Sequence, residues 1–303
     1  MSVAEFEARE LAIEGTGTGL WGEAWYQLVR NPGAIIGFVL VLMFVIAAIF
    51  APMIAPYGPL DQNLSLLKDG GIPPGPSIHH LLGVDLLGRD VFTRILYGAR
   101  YSLLIGIVSV AIGLTVGLVL GSIAGYVGGM VDTVIMRCMD IMLAIPGLLF
   151  AIGIVAMLGP GLYQIMIAVG VVNVPIFARL LRGSILAQRE NDFVLAARSV
   201  GVRSRAILFS HILPNSISPV IVQGTLAMAT AIIDVAGLGF LGLGPQDPST
   251  PEWGTMLTDV NDYLQAAPFL AIIPGVAIIL SVLGFNLIGD GLREALDPKL
   301  RGH

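Results

Sequence analysis

The chain has 303 residues, 55% of them hydrophobic and only 12% charged, with a mean hydropathy of +0.86 and a net charge of −5. This balance excludes a disordered chain, a collagen-like repeat and a small disulfide scaffold, and it leaves too few polar side chains to cover most soluble folds. There is no basic block, so nucleic acid is not an expected partner, and the lone Cys138 excludes an intrachain disulfide.

Residues 1–30 hold five Glu and two Arg and no short apolar core, so a signal peptide is not expected there. Trp21, Trp25 and Leu28 recur at i, i+4 and i+7. That stripe suits either a short helix in the inner membrane interface or a tail helix packed on protein. The stretches 31–60 and 101–131 carry no charged residue, and each exceeds the ~20 apolar residues needed to cross hydrocarbon. Six spans are expected, making an all-α, multi-pass membrane protein. They lie near 33–55, 102–126 and 137–158, then from the turn Gly159-Pro160-Gly161 to about Leu181, then 216–241 and 267–288. Six spans put both termini on one side. With the termini inside, inner segments hold twelve Lys or Arg and outer segments only Lys68, Arg89, Arg94 and Arg100. Cytoplasmic termini follow. The outer loop 56–100 begins turn-rich and then predicts an amphipathic elbow helix over 90–97, with an Asp90–Arg94 pair at i, i+4. His79-His80 lack further ligands at metal spacing, so no metal site is expected.

Gly113, Gly117, Gly121, Gly125 and Gly129 form successive G-x-x-x-G steps on one helix face. Such faces let backbones approach closely, which serves packing inside the chain or a surface that slides. Asp234 lies within the fifth span, where an acid costs on the order of 3 kcal/mol on insertion scales. It should face water or protein, either bordering a solute path and attracting a cationic group, or bonding a neighbouring helix. Asn173 and Pro175, in the fourth span, are further path candidates. The run Gly237–Gly242 matches G-x-G-x-x-G, but it closes an apolar span instead of joining a strand to a helix. Broken helix lining a cavity or a protein contact is expected there. Only two lysines occur, Lys68 and Lys299, and neither sits in a phosphate-binding loop. Any ATP that drives this chain must be held by another one.

The inner segment 183–214 is the most informative. Asn191 or Asp192 caps a helix start, and Gly201 suits a left-handed stop. A second helix over 204–212 is expected to halt at Pro214. Ala196 and Ala197 keep one surface small, as insertion into a partner's groove requires. A plain connector with a solvated, Arg-rich face also fits these residues.

The spacing Ala196-Ala197, Gly201, Leu213-Pro214 resembles the "EAA" loop of ABC import permeases. Leu195 departs from it where the motif's name has Glu, and His211 where Ile is frequent. HLLGVDLLGRDVFTRILYGARYSLL (80–104), FLGLGPQDPSTPEWGTMLTDV (240–260) and NLIGDGLREALDPKLR (286–301) are similar to the C-type permease subunit of dipeptide/oligopeptide ABC importers. The resemblance implies a type I importer permease fold. Residues 1–32 would be a cytoplasmic tail, 33–100 the first span with its periplasmic loop, and 101–303 the permease core with coupling loop 183–214. It implies an ATPase-coupling role for Asp192, Ala196, Ala197, Arg198, Gly201, His211 and Pro214. It also implies a B-type permease as heterodimer partner, two ATPase subunits that carry ATP and Mg, and a periplasmic or lipid-anchored binding protein. No cofactor is expected on this chain, which lies in membrane lipid. Dipeptides are the preferred substrate class, with oligopeptides or nickel chelates as alternatives. Two other classes compete. An ion-coupled transporter would use Asp234 as a protonatable site, but six spans are few for one. An intramembrane enzyme would need H-E-x-x-H or paired carboxylates, which the spans lack.

Overall fold

A computed structural model describes residues 20–67 and 71–296. Arg9, Lys68, Lys299 and Arg301 fall outside these residues, as does the side chain of Trp21. The described residues are helical, with one isolated bridge, Val84–Asp90, and no strand. Helix α1 (Leu20–Leu28) precedes α2 (Pro32–Ile54), which Asn31 caps by accepting from the Ala34 N–H. α1 buries Ala24 and leaves Trp25 and Tyr26 exposed. It packs on the last described helix while the Trp25 ring turns outward, so contact with protein and an exposed aromatic ring occur together.

The second span is α3 (Val91–Val127), one unbroken helix of 37 residues. The separate elbow helix expected over 90–97 is therefore the first turns of the span itself. Asp90 caps it, accepting from the Thr93 N–H at 2.7 Å. The expected Asp90–Arg94 pair does not form. Asp90 is occupied by its cap and by His80 Nδ1 at 2.9 Å, and Arg94 turns to Asp85. Gly98 lets the helix run on beneath Trp253, because a Cβ there would come 2.6 Å from the indole.

The third span is not the single helix expected from 137. It consists of α4 (Gly129–Ala144) and α5 (Gly147–Leu158), bent by 94° at Ile145-Pro146. Proline forces the preceding residue out of the helical region, and Ile145 sits at φ −94°, ψ 130°. Among the described residues, counting that pair as one span gives six candidate crossings; the other five helices are each long and apolar enough to cross alone.

α6 (Leu162–Arg189) follows and runs parallel to α3. The glycine face of α3 lies directly on it. Cβ atoms at Gly113, Gly117 and Gly121 would fall 2.7 Å from Asn173 Cβ, 2.5 Å from Phe177 Cβ and 2.5 Å from the Ala178 carbonyl. Gly170 returns the arrangement from α6, meeting Ile112. Gly125 continues the seam to Ile185. The inner segment comprises α7 (Asp192–Ser199), α8 (Ser204–Ile207), a π-turn (Leu208–Ile212) and α9 (Leu213–Ser216). α10 (Ser218–Leu238) continues as a π-turn to Leu243, and α11 (Phe269–Leu296) closes the bundle on α2 and α10. Pro214 does not halt the second inner helix. It occupies the first turn of α9, where no N–H is required.

Replacing Gly117 by Val is expected to overpack the α3–α6 seam and cost about 1–3 kcal/mol. Gly153→Ala, with open space around the added carbon, should leave stability unchanged. Thermal midpoints of the purified membrane protein check both.

Candidate functional site

Two ends of the bundle gather polar and exposed groups. At the end that carries the 183–214 segment, α7 is held by one fully buried side chain, Val194, with Ala197 packed beside it on the main core. Its outward side presents Asp192, Phe193, Leu195, Ala196, Arg198 and Val200, the last 80% exposed. Asn191 takes the cap position, but its side chain donates to Gln188 Oε1 instead of accepting from the helix.

The stop is built on Gly201, at φ +79°. Its N–H reaches the Arg198 carbonyl at 3.0 Å, and the Val202 N–H reaches that of Ala197 at 3.1 Å. This is the two-bond Schellman closure, completed by Val202 and Ala197 sharing the same apolar core. His211 is half-buried in the π-turn, and its carbonyl accepts from Asn215 Nδ2 at 2.7 Å.

The loop is tied to the spans rather than loosely hung. Tyr126, at the end of α3, donates its hydroxyl to the Ser204 carbonyl. Arg189 Nη1 donates to the terminal carbonyls of α3, Gly125 at 2.9 Å and Tyr126 at 3.3 Å. Arg182 grips Asp132 of α4 with both Nε and Nη2, the latter at 2.6 Å, and Arg179 pairs with Asp140. Three arginines, Arg179, Arg182 and Arg189, thus serve as ties between helix ends, which their sequence positions alone do not disclose.

The path candidates separate. Asn173 is buried in the α3–α6 seam and donates to the Val169 carbonyl of its own helix at 2.9 Å, and Pro175 is buried as well. They face the subunit interior, not an open surface. Asp234 is half-buried on α10, and among the described residues it makes no hydrogen bond or ion pair. It shares its face with Thr230 and Gly237, flanked by exposed Ile233 and Leu241. The glycines that follow break the helix as expected. Gly242 stands at φ +76°, and Gly239 lies where a Cβ would meet Glu252 at 2.5 Å.

At the opposite end, residues 80–95 pack against 256–270 through Leu82, Val91, Val260 and Leu270. Trp253 is fully buried, edge-on to Phe44 and bonded to the Ile95 carbonyl. Glu252, also buried, was not singled out from sequence. Its carboxylate accepts from Ser102 Oγ and from the N–H groups of Gly254 and Thr255. Burial pushes this carboxyl above its ordinary range, against those three donors. The available signal was an acid directly beside Trp253.

The family model of the binding-protein-dependent transport system inner membrane component matches residues 117–302, and the N-terminal TM domain of oligopeptide transport permease C matches 19–74. The chain belongs to this family. It is a multi-pass inner-membrane transport subunit of an ABC importer.

The dipeptide transport system permease protein DppC of Alkalihalophilus pseudofirmus is 49% identical over 286 residues, 94% of this chain and 92% of that one. DppC of Escherichia coli is 50% identical over 280 residues, 92% and 93% of the two chains. The glutathione transport system permease protein GsiD of Shigella flexneri is 48% identical over 282 residues, 93% and 91%. Among solved structures, an inward-facing MetNI methionine ABC transporter matches with a TM-score of 0.56 at 18% identity. It covers 67% of this chain and 96% of that one, and it shows the fold alone.

Glu252→Ala should leave buried donors unpaired and destabilise the outer hairpin by roughly 1–3 kcal/mol. Glu252→Gln, which keeps one acceptor oxygen, should lose less. Thermal melts of the two variants rank them.

Proposed function

We propose that this chain forms half of the translocation pathway for dipeptides or short oligopeptides, delivered by a periplasmic or lipid-anchored binding protein. Its termini are cytoplasmic, and a B-type permease supplies the other half. Two ATPase subunits hold ATP and Mg, and their closure moves the inner loop. Relatives named for dipeptide transport, near half identity over almost the whole chain, support the substrate class. The observation that carries the mechanism is the geometry of α7. Anchored by Val194 and stopped at Gly201, it presents Phe193, Leu195, Ala196 and Val200 to a partner.

The chain performs no bond chemistry in this reading. ATP shifts a two-state equilibrium of the assembly, which requires a partner that contacts α7 differently in the two states. The ties of α7 and α8 to α3 and α6 convert that contact into a movement of the spans. Asp234 borders the path and attracts the α-amino group of a peptide. Its lack of an internal partner supports this role, because an unpaired acid in a span must find water or an opposite charge.

Uptake in proteoliposomes holding the complete importer tests the substrate class. Dipeptides should compete with labelled dipeptide, and glutathione or a nickel chelate should compete poorly. Superior competition by either would reassign the substrate. Asp234→Asn should impair uptake at least several-fold while the subunits still co-purify; normal uptake would remove Asp234 from the path. Gly201→Val forces a β-branched residue into the left-handed region, at roughly 1–2 kcal/mol. It should lower uptake per ATP hydrolysed, whereas Gly201→Asn should retain coupling. Wild-type coupling in the Val variant would contradict the role of the stop.

A further inference from the structure

At the end that carries the 183–214 segment, a groove of about 750 Å³ runs along α3 beside the glycine seam. α3 forms one wall through Leu118, Ser122 and Tyr126, each one residue on from a seam glycine. The π-turn forms the other through Leu208 and Phe209. Among the lining side chains only Ser122, Tyr126 and Arg205 carry polar atoms. Tyr126 spends its hydroxyl on the Ser204 carbonyl, which places 204–205 beside the last turn of α3. The groove is thus apolar along its length, with one guanidinium at the end where α3 stops.

No acid lines the groove, and among the described residues neither Arg205 nor the nearby exposed Arg203 enters an ion pair. Asp132 and Asp140, the acids of α4, are taken by Arg182 and Arg179. From Leu118 to Val127 the groove follows α3 for ~14 Å, which is about the depth of one leaflet in a ~30 Å hydrocarbon core. Its apolar edge is open, with Val127 61% and Phe209 66% exposed. An apolar trough one leaflet deep that ends in an unpaired cation has the polarity of a phospholipid carrying negative charge. A neutral helix of another protein would cover the trough and leave Arg205 unmatched.

We propose that this groove binds an anionic phospholipid, with an acyl chain along 118–127 and the phosphate on Arg205. The assignment to the cytoplasmic leaflet rests on the reading that the 183–214 segment faces the cytoplasm. The guanidinium fork can take two phosphate oxygens at once, so it holds the head while the trough holds the chain. Bound there, the lipid fills the gap between α3 and the π-turn, beside the bond from Tyr126 to Ser204.

The test places the complete importer in phosphatidylcholine nanodiscs with a trace of photoactivatable phosphatidylglycerol or of phosphatidylcholine bearing the same reactive acyl chain. Peptide mass spectrometry then locates the label. The phosphatidylglycerol probe should label 118–127 and 208–217 about fivefold more than the phosphatidylcholine probe, and Arg205→Gln should bring the two level. Ser122→Trp, which fills the groove, should lower labelling by both. Equal labelling of the wild-type groove by the two probes would mean ordinary bilayer lipid and overturn the site. Absence of label, or cross-linking of Ile123→Cys to a second permease subunit in a Cys138→Ser background, would assign the groove to a protein contact and overturn it as well. Should Arg205→Gln fail to assemble, Ser122→Trp decides, because selective labelling that survives it contradicts the groove. In the same cysteine-free background, Arg205→Cys reports the leaflet. Reaction only with reagents outside the cell would overturn the cytoplasmic reading, whereas reaction from the cytoplasm with unselective labelling would overturn the lipid site alone.

Discussion

The contact on which the rest of the molecule depends is the glycine seam between α3 and α6. Two parallel helices approach until the backbone of one meets the side-chain roots of the other, at Gly113 against Asn173 and Gly117 against Phe177. In a bilayer no hydrophobic force distinguishes helix from lipid, so close packing of this kind is what holds spans together. α3 is about 55 Å long at 1.5 Å per residue, well beyond the hydrocarbon thickness. The same rigid rod therefore carries the Trp253 hairpin at Gly98 and Ser102 near one end, and receives the 183–214 segment at Gly125 and Tyr126 at the other.

That continuity gives a physical route from one end of the molecule to the other. The inner loop is bonded to the end of α3 by Tyr126 and Arg189, and α6 is clamped to α4 by Arg179 and Arg182. A displacement of α7 by a partner cannot be absorbed in a slack connector, because Val194 and Ala197 are set in the core. The 94° bend at Ile145-Pro146 interrupts the third span, and the left-handed Gly242 interrupts the span that carries Asp234.

Much of this was legible in the sequence. The uncharged runs marked spans, the glycine spacing marked the seam, and Gly201 marked the end of α7 because a left-handed stop favours glycine. What misled were places where tertiary contacts chose between local options. Asp90 had two acceptable partners, and the helix cap with His80 won over Arg94 four residues on. An elbow over 90–97 and a span from 102 were expected to be separate, yet Gly98 is a point of contact for Trp253 within one helix. Pro146 was the available signal for the bent third span, and Pro214 read as a stop because a π-turn that carries the chain past it leaves no periodic trace. Glu252 was hidden because its partners, Ser102 and the backbone of 254–255, are neutral and, for Ser102, remote in sequence.

The account stands or falls on what touches the outward side of α7. A cysteine placed at Ala196, in a Cys138→Ser background, should cross-link to an ATPase subunit in the assembled importer. It should react only with thiol reagents admitted to the cytoplasmic side, and the cross-link should abolish ATP-driven uptake. Labelling of that cysteine from the exterior, or uptake that persists at full rate once it is cross-linked, would contradict the account.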